Sequence, residues 1–217
     1  MTKNKLLVFD LDGTLLDSLP SLAKSFNWAL KKMGYPVHSV TNYKYIIGDG
    51  AKEGAKRCLP KSNRNSKEVS ACLSMFREAY GTYWEEAEPF PDILDMLKIA
   101  SKKNCLAVLS NKDDAFTKSC VEKFFPSSFD IVSGYKPEHG LKPEPSALLE
   151  IADYSGYAIS KTYMIGDTAT DIRTANNARA EGIGILWGYR DKEELLKAGA
   201  AHIVGSVKDL SDLFAKL

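Results

Sequence analysis

The chain has 217 residues, 44% hydrophobic and 26% charged, with a formal net charge of +1. That length allows one core domain plus a smaller module, and the composition is ordinary soluble globular material. The balanced charge excludes a basic nucleic-acid footprint, and no apolar stretch approaches the length of a membrane span. The first ten residues reach Asp10 too soon for a signal peptide. Cys58, Cys72, Cys105 and Cys120 form no CxxC pair, and His38, His139 and His202 stand far apart. This argues against a zinc site and for reduced thiols in a cytoplasmic protein.

The first element is a short apolar run, residues 5–10, that reads as a buried parallel strand. It ends in Asp10-Leu11-Asp12-Gly13-Thr14. Two carboxylates about 4 Å apart at an effective dielectric near 20 repel by roughly 4 kcal/mol, so a metal or a shared proton is expected there. Residues 18–34 follow a helical period, with Leu19, Leu22, Phe26, Ala29, Leu30 and Met33 as the apolar stripe and Gly34 and Pro36 as the stop. Further helices are predicted near 51–58, after Gly48-Asp49-Gly50, and near 66–86. No strand is predicted between 16 and 88.

From Pro89-Phe90-Pro91-Asp92 onward, apolar runs alternate with helical patterns. Strands are predicted at 105–109, 130–132, 163–165, 183–186 and 202–204. Helices are predicted near 92–103, 113–124, 145–154, 170–178, 191–198 and 207–215. Such alternation means an α/β fold, with a parallel sheet and helices on both faces. The strand at 5–10 must join that sheet, so a helical insertion interrupts the core after its first strand. Paired connectors at 16–20 and 88–91 suit a lid.

Further chemistry falls at the ends of predicted strands or in the loops beyond: Ser110-Asn111, Lys142 in Gly-Leu-Lys-Pro-Glu-Pro, and Gly166-Asp167 with Asp171 four residues on. Carboxylates, a hydroxyl, an amide and a lysine at the tips of one sheet match phosphoryl transfer to a carboxylate.

These four segments, D-x-D-G-T, S-N, K-P-x-P and G-D-x-x-x-D in that order, resemble the motifs of haloacid dehalogenase superfamily phosphatases with a helical cap, in particular the phosphoglycolate phosphatase-like members. The resemblance spans nearly the whole chain. It implies a Rossmann-like core of residues 1–16 and 89–217 and a helical cap of residues 17–88. It further implies a Mg²⁺-dependent phosphatase acting on a small phosphorylated metabolite through an aspartyl-phosphate intermediate, with no nucleic-acid or membrane partner and as a monomer or weak homodimer.

By this resemblance Asp10 is the nucleophile and Asp12 the acid and base, with its carbonyl also on the metal. Asp10 and Asp167 ligate Mg²⁺, supported by Asp171. Ser110 and the backbone near Asn111 bind the phosphoryl group, Lys142 offsets its charge, and Thr14 holds the motif loop and counts among the phosphate-binding residues. Gly48-Asp49-Gly50 resembles a cap loop that reaches the site, and Trp187-Gly188-Tyr189 a loop beside it.

Asp12 argues against carbon–halogen chemistry, because dehalogenating members lack an acid there. A phosphosugar mutase like β-phosphoglucomutase, a pyrophosphatase, and a binding protein on an inactive scaffold are the alternatives. No motif residue is lost, which disfavours the last. Phosphoglycolate is the default substrate by resemblance, and no cap residue names the leaving alcohol.

Overall fold

The computed structural model describes residues 4–217, so the first three residues of the expected 1–16 core segment lie outside it. In chain order, β1 (Leu6–Phe9) is followed by β2 (Leu16–Asp17), α1 (Leu19–Lys32), α2 (Ala51–Cys58), α3 (Ser66–Tyr83) and β3 (Glu88–Pro89). Then come α4 (Ile93–Ala100), β4 (Cys105–Asp113), α5 (Asp114–Phe124), β5 (Ile131–Tyr135) and α6 (Ser146–Ser155). The chain finishes with β6 (Thr162–Gly166), α7 (Ala169–Ala178), β7 (Glu181–Ile185), α8 (Lys192–Lys197), β8 (His202–Val204) and α9 (Val207–Lys216).

Six strands form one parallel sheet in the order β5-β4-β1-β6-β7-β8. All four residues of β1 are buried. Their alternation assigns them to two cores, as a strand's period of two requires. Leu7 and Phe9 pack with α4, α5 and α9 through Met96, Val121 and Leu210, whereas Leu6 and Val8 pack with α6 and α7 through Leu148 and Ala175. From β1 the chain builds outward to β4 and β5, then returns to lay β6 on the other side of β1. That reversal opens a crevice at the carboxyl ends of β1, β4 and β6, where such sheets bind ligands.

Helices α1, α2 and α3 bury a third cluster of their own, centred on Phe26, Tyr43, Phe76 and Tyr80. Phe26 stacks on Phe76 with centroids 3.9 Å apart, and Phe76 stacks on Tyr80 at 5.4 Å. Helix α3 starts where Asn65 accepts a hydrogen bond from the Glu68 amide at 3.0 Å, a side-chain cap typically worth about 1 kcal/mol. Tyr45 is 68% exposed, with the Arg190 guanidinium over its ring.

The expectation of no strand between 16 and 88 is corrected at its two ends. Leu16 pairs with Pro89 and Asp17 with Glu88 in a two-residue antiparallel ladder, so the two connectors run side by side. Two residues are too few to show a period in sequence. Strand β4 also runs past the expected 105–109 to Asp113, with a shift in its pairing to β5 between Leu109 and Asp113. Asp92 occupies the cap position of α4 without a side-chain hydrogen bond and with φ of +64°.

Candidate active site

Each strand tip around the crevice delivers one group. Asp10 follows β1 and is buried, its amide donating to the Ile165 carbonyl at 2.8 Å. Lys142, on the loop before α6, reaches across the sheet end. Its ammonium donates to Asp10 Oδ1 at 2.7 Å, to Asp171 Oδ1 at 2.6 Å and to the Leu109 carbonyl at 3.0 Å. An ammonium has three donors, so all of them are used. Burial alone would lower the pKa of Lys142, but Asp10 and Asp171 outweigh it and hold it above the usual lysine value.

Asp167 and Asp171 are placed by the start of α7. The Asp171 carboxylate accepts from the Thr168 amide at 3.1 Å and the Thr168 hydroxyl at 2.7 Å, closing a capping box that fixes its rotamer. Asp167 accepts from the Tyr189 amide at 2.7 Å and the Thr14 hydroxyl at 3.3 Å. Thr14 therefore ties the first loop to the third carboxylate, and its hydroxyl is spent there. The glycines set how closely these loops meet. A Cβ on Gly166 would lie 2.2 Å from Asp171 Cγ, and one on Gly188 2.3 Å from Asp167 Cβ. Gly13 turns the first loop at φ of +90°, in the left-handed region that glycine enters without steric cost. Trp187-Gly188-Tyr189 does shape the loop beside the site, with Trp187 Nε1 donating to the Thr14 carbonyl at 3.1 Å.

Asp10, Asp167 and Asp171 each turn one oxygen to a common point, all within 4.8 Å of one another. Three buried carboxylates face one ammonium, Lys142. Burial raises the Asp10 carboxyl well above its ordinary value despite Lys142, and burial together with Asp171 pushes Asp167 up to about 7. An all-oxygen, strongly anionic pocket of this kind fits a hard divalent cation such as Mg²⁺.

Asp12 stands on the open side of the crevice, and its partners were not legible in the motif. Its Oδ1 accepts from Lys112 Nζ at 2.6 Å and from the Ser18 hydroxyl at 2.5 Å. Lys112 is buried and also donates to the Tyr80 hydroxyl, 2.8 Å away on α3. Burial opposes its charge, but Asp12 overcomes that and raises its pKa. The available signal was position alone, since Lys112 directly follows Ser110-Asn111.

Ser110 lines the cavity beside Asp10. The Asn111 side chain instead clamps loops together: it donates to the carbonyls of Gly48 at 3.1 Å and Lys142 at 3.2 Å and accepts from the Lys142 amide at 2.7 Å. Gly48 and Gly50 line the same cavity, so the 48–50 loop does reach the site. Lys52, Lys56 and Arg57 do not line it, and Arg57 is bonded to Asp49 at 2.6 Å and Glu53 at 3.2 Å.

A family model for haloacid dehalogenase-like hydrolases matches residues 7–185, a span that holds Asp10, Asp12, Ser110, Lys112, Lys142, Asp167 and Asp171. The chain belongs to that family. Among curated relatives, the phosphoglycolate phosphatase of Vibrio cholerae is 30% identical, over 91% of both chains. That of Pseudomonas fluorescens is 27% identical, over 95% of this chain and 78% of its own. A candidate phosphoglycolate phosphatase from Lactobacillus delbrueckii subsp. bulgaricus superposes with a TM-score of 0.92 at 30% identity, covering 98% of this chain and 99% of the other. A candidate β-phosphoglucomutase from Bacteroides vulgatus shares the fold at 21% identity, with a TM-score of 0.79 over 98% of this chain and 88% of its own. The protein is thus a hydrolase by family, and the curated relatives named here are phosphoric monoester hydrolases. Among the described residues no helix is long and apolar enough to cross a membrane.

Proposed function

We propose that the protein is a Mg²⁺-dependent, cytoplasmic phosphatase that hydrolyses small phosphate monoesters through an aspartyl-phosphate on Asp10. The observation that carries this reading is the pairing of two acids of different setting in one cavity. Asp10 is buried against Lys142 and two further carboxylates, while Asp12 faces the substrate side. A carboxylate in the first setting is a nucleophile beside a cation site, and one in the second can exchange protons.

In the first half-reaction, an Asp10 oxygen attacks phosphorus and the bond to the alcohol breaks, with Asp12 giving its proton to the departing oxygen. In the second, Asp12 takes a proton from water as it attacks the aspartyl-phosphate, releasing inorganic phosphate and restoring Asp10. Asp10, Asp167 and Asp171, with the Asp12 carbonyl, would hold Mg²⁺. When bound, it neutralises the charge that the nucleophile and the phosphate share. Lys142 and the amides near Ser110 and Asn111 add to that field. A base typically contributes only about 10²–10⁴-fold, so most of the acceleration rests on positioning and charge.

Residues 17–88 act as a cap on a core of 1–16 and 89–217, and the ladder of Leu16-Asp17 with Glu88-Pro89 is the hinge. That division is supported by the separate apolar cluster of α1–α3.

Hydrolysis of p-nitrophenyl phosphate tests the reading. Full activity is expected with Mg²⁺, and a loss of at least about 10³-fold with EDTA or in Asp10→Asn, as expected when the main electrostatic and covalent contributions are removed. Equal rates in the three samples would sink it.

A further inference from the structure

The cavity over Asp10 and Asp12 has two unlike halves. Its floor is charged, and every charged side chain lining it comes from the β-sheet side of the molecule. Its opposite wall is apolar and aromatic, formed by Leu22, Phe26, Ile47, Phe76 and Tyr80, with Phe116 at the side. Phosphorus must sit against Asp10, so the leaving group extends past Asp12 onto this wall.

The cations nearby are already engaged. Lys142 gives all three donors to Asp10, Asp171 and the Leu109 carbonyl. Lys112 is bound to Asp12 and Tyr80. Beyond the lining, Arg77 of α3 donates to both oxygens of Asp113, at 2.8 and 3.1 Å. Arg190 pairs with Glu194 at 3.3 Å and donates to the carbonyls of Lys44 and Ile47. The amino end of α2, which would attract an anion by its dipole, has Asp49 just before it and Glu53 in its first turn. Four carboxylates and two ammonium groups line the cavity. A divalent cation and a phosphate dianion would balance each other and leave that anionic excess in place. A carboxylate on the leaving group would lose its water against aromatic rings and meet no unpaired cation, which is costly.

We propose that this cavity is built for a phosphate monoester whose leaving alcohol is uncharged and carries an apolar or aromatic body. The proposal rests on the phosphatase reading above and narrows its substrate. Against the default drawn from resemblance, it places phosphoglycolate among the poor substrates, because its leaving alcohol, glycolate, carries a carboxylate.

The test compares benzyl phosphate, butyl phosphate and phosphoglycolate as substrates of the full chain with Mg²⁺, scored by released phosphate. The expected result is a kcat/KM for benzyl phosphate at least about tenfold above that for phosphoglycolate, with butyl phosphate between them. Phe116→Lys should narrow that gap by supplying a cation beside the apolar wall, whereas Phe116→Leu should keep it. A kcat/KM for phosphoglycolate equal to or above that for benzyl phosphate overturns the substrate class and leaves the phosphatase reading standing. So would a loss of phosphoglycolate turnover alone in Lys112→Met, which would mean that Lys112 binds its carboxylate. Release of phosphate from none of the esters, with p-nitrophenyl phosphate also inert, overturns the phosphatase reading and this inference with it.

Discussion

At the residue scale, the two acids of the first motif live in different electrostatic surroundings although one residue separates them. Asp10 is held by Lys142 among carboxylates, while Asp12 is held by Lys112 and Ser18. A hydrogen bond to a charged group is worth about 1.5–3 kcal/mol, so losing one that orients Asp12 costs about 10- to 100-fold if it is maintained during the reaction. Lys112→Met is therefore expected to lower kcat/KM for p-nitrophenyl phosphate by that factor, and unchanged kinetics would remove Lys112 from the positioning of Asp12. Asp167 carries a pH signature. In the metal-free protein its pKa is pushed up to about 7, against about 3.9 for a free aspartate. Between those values the folded protein keeps a proton that the unfolded chain has released, so this contribution to stability is complete below about pH 4, falls as pH rises to about 7, and is gone above it. Mg²⁺ takes the proton's place. The rise in Tm on adding Mg²⁺ is expected to be larger at pH 8 than at pH 5, measured by thermal denaturation against an EDTA control. Equal shifts at the two pH values would contradict it.

At the scale of elements, the connectors matter most. Asp92 follows the second connector at φ of +64°. Aspartate is one of the few residues other than glycine that enters this region readily. Asp92→Gly is expected to leave stability within about 1 kcal/mol, and Asp92→Val to lower it by about 1–2 kcal/mol, because a β-branched side chain is strained in that conformation. Urea unfolding of the two variants measures the difference, and a fully stable valine variant would count against a strained junction. The α7 capping box is a second case in which local structure serves the site. The same Asp171 that satisfies the start of the helix also receives Lys142.

At the scale of the molecule, the helical block is tied over the sheet by polar contacts that each join one part to the other: Asn111 to Gly48, Lys112 to Tyr80, Arg77 to Asp113, Thr170 to Asp49, and Arg190 to the carbonyls of Lys44 and Ile47. These contacts close a cavity without a large shared apolar core, a balance suited to opening and closing. Arg190→Ala should therefore loosen the 44–52 segment more than the whole protein. Limited trypsin digestion is expected to cut at Lys44 and Lys52 several-fold faster than in the unaltered protein, with little change in Tm. Cleavage at an unchanged rate would mean that the segment is held by its apolar contacts alone.

The amino-acid sequence by itself determined the alternation of strands and helices, the placement of the helical block after the first strand, and the motif residues at strand ends. Each is written in local periodicity or in a short contiguous signature, and such signals survive without knowledge of the fold. It also singled out Asp10, Asp12, Lys142, Asp167 and Asp171, because Asp10 and Asp167 follow apolar runs and all five fall in short motifs that resemble those of one family. What it did not contain were the partners brought in by the crossing of elements. Lys112 with Asp12 and Tyr80, Asn111 with Gly48, and Ser18 with Tyr189 at 3.3 Å join residues from 32 to 171 positions apart. Nor did it contain the two-residue ladder between the connectors, too short for any period. Phe26, Phe76 and Tyr80 read as one helix stripe after another, and only the tertiary structure decided that the same rings which fill the helical block's core also wall the space above Asp12. A pattern of apolar residues says that a face is buried. Whether another helix or a substrate buries it depends on which faces meet, and that is settled only when the chain is folded.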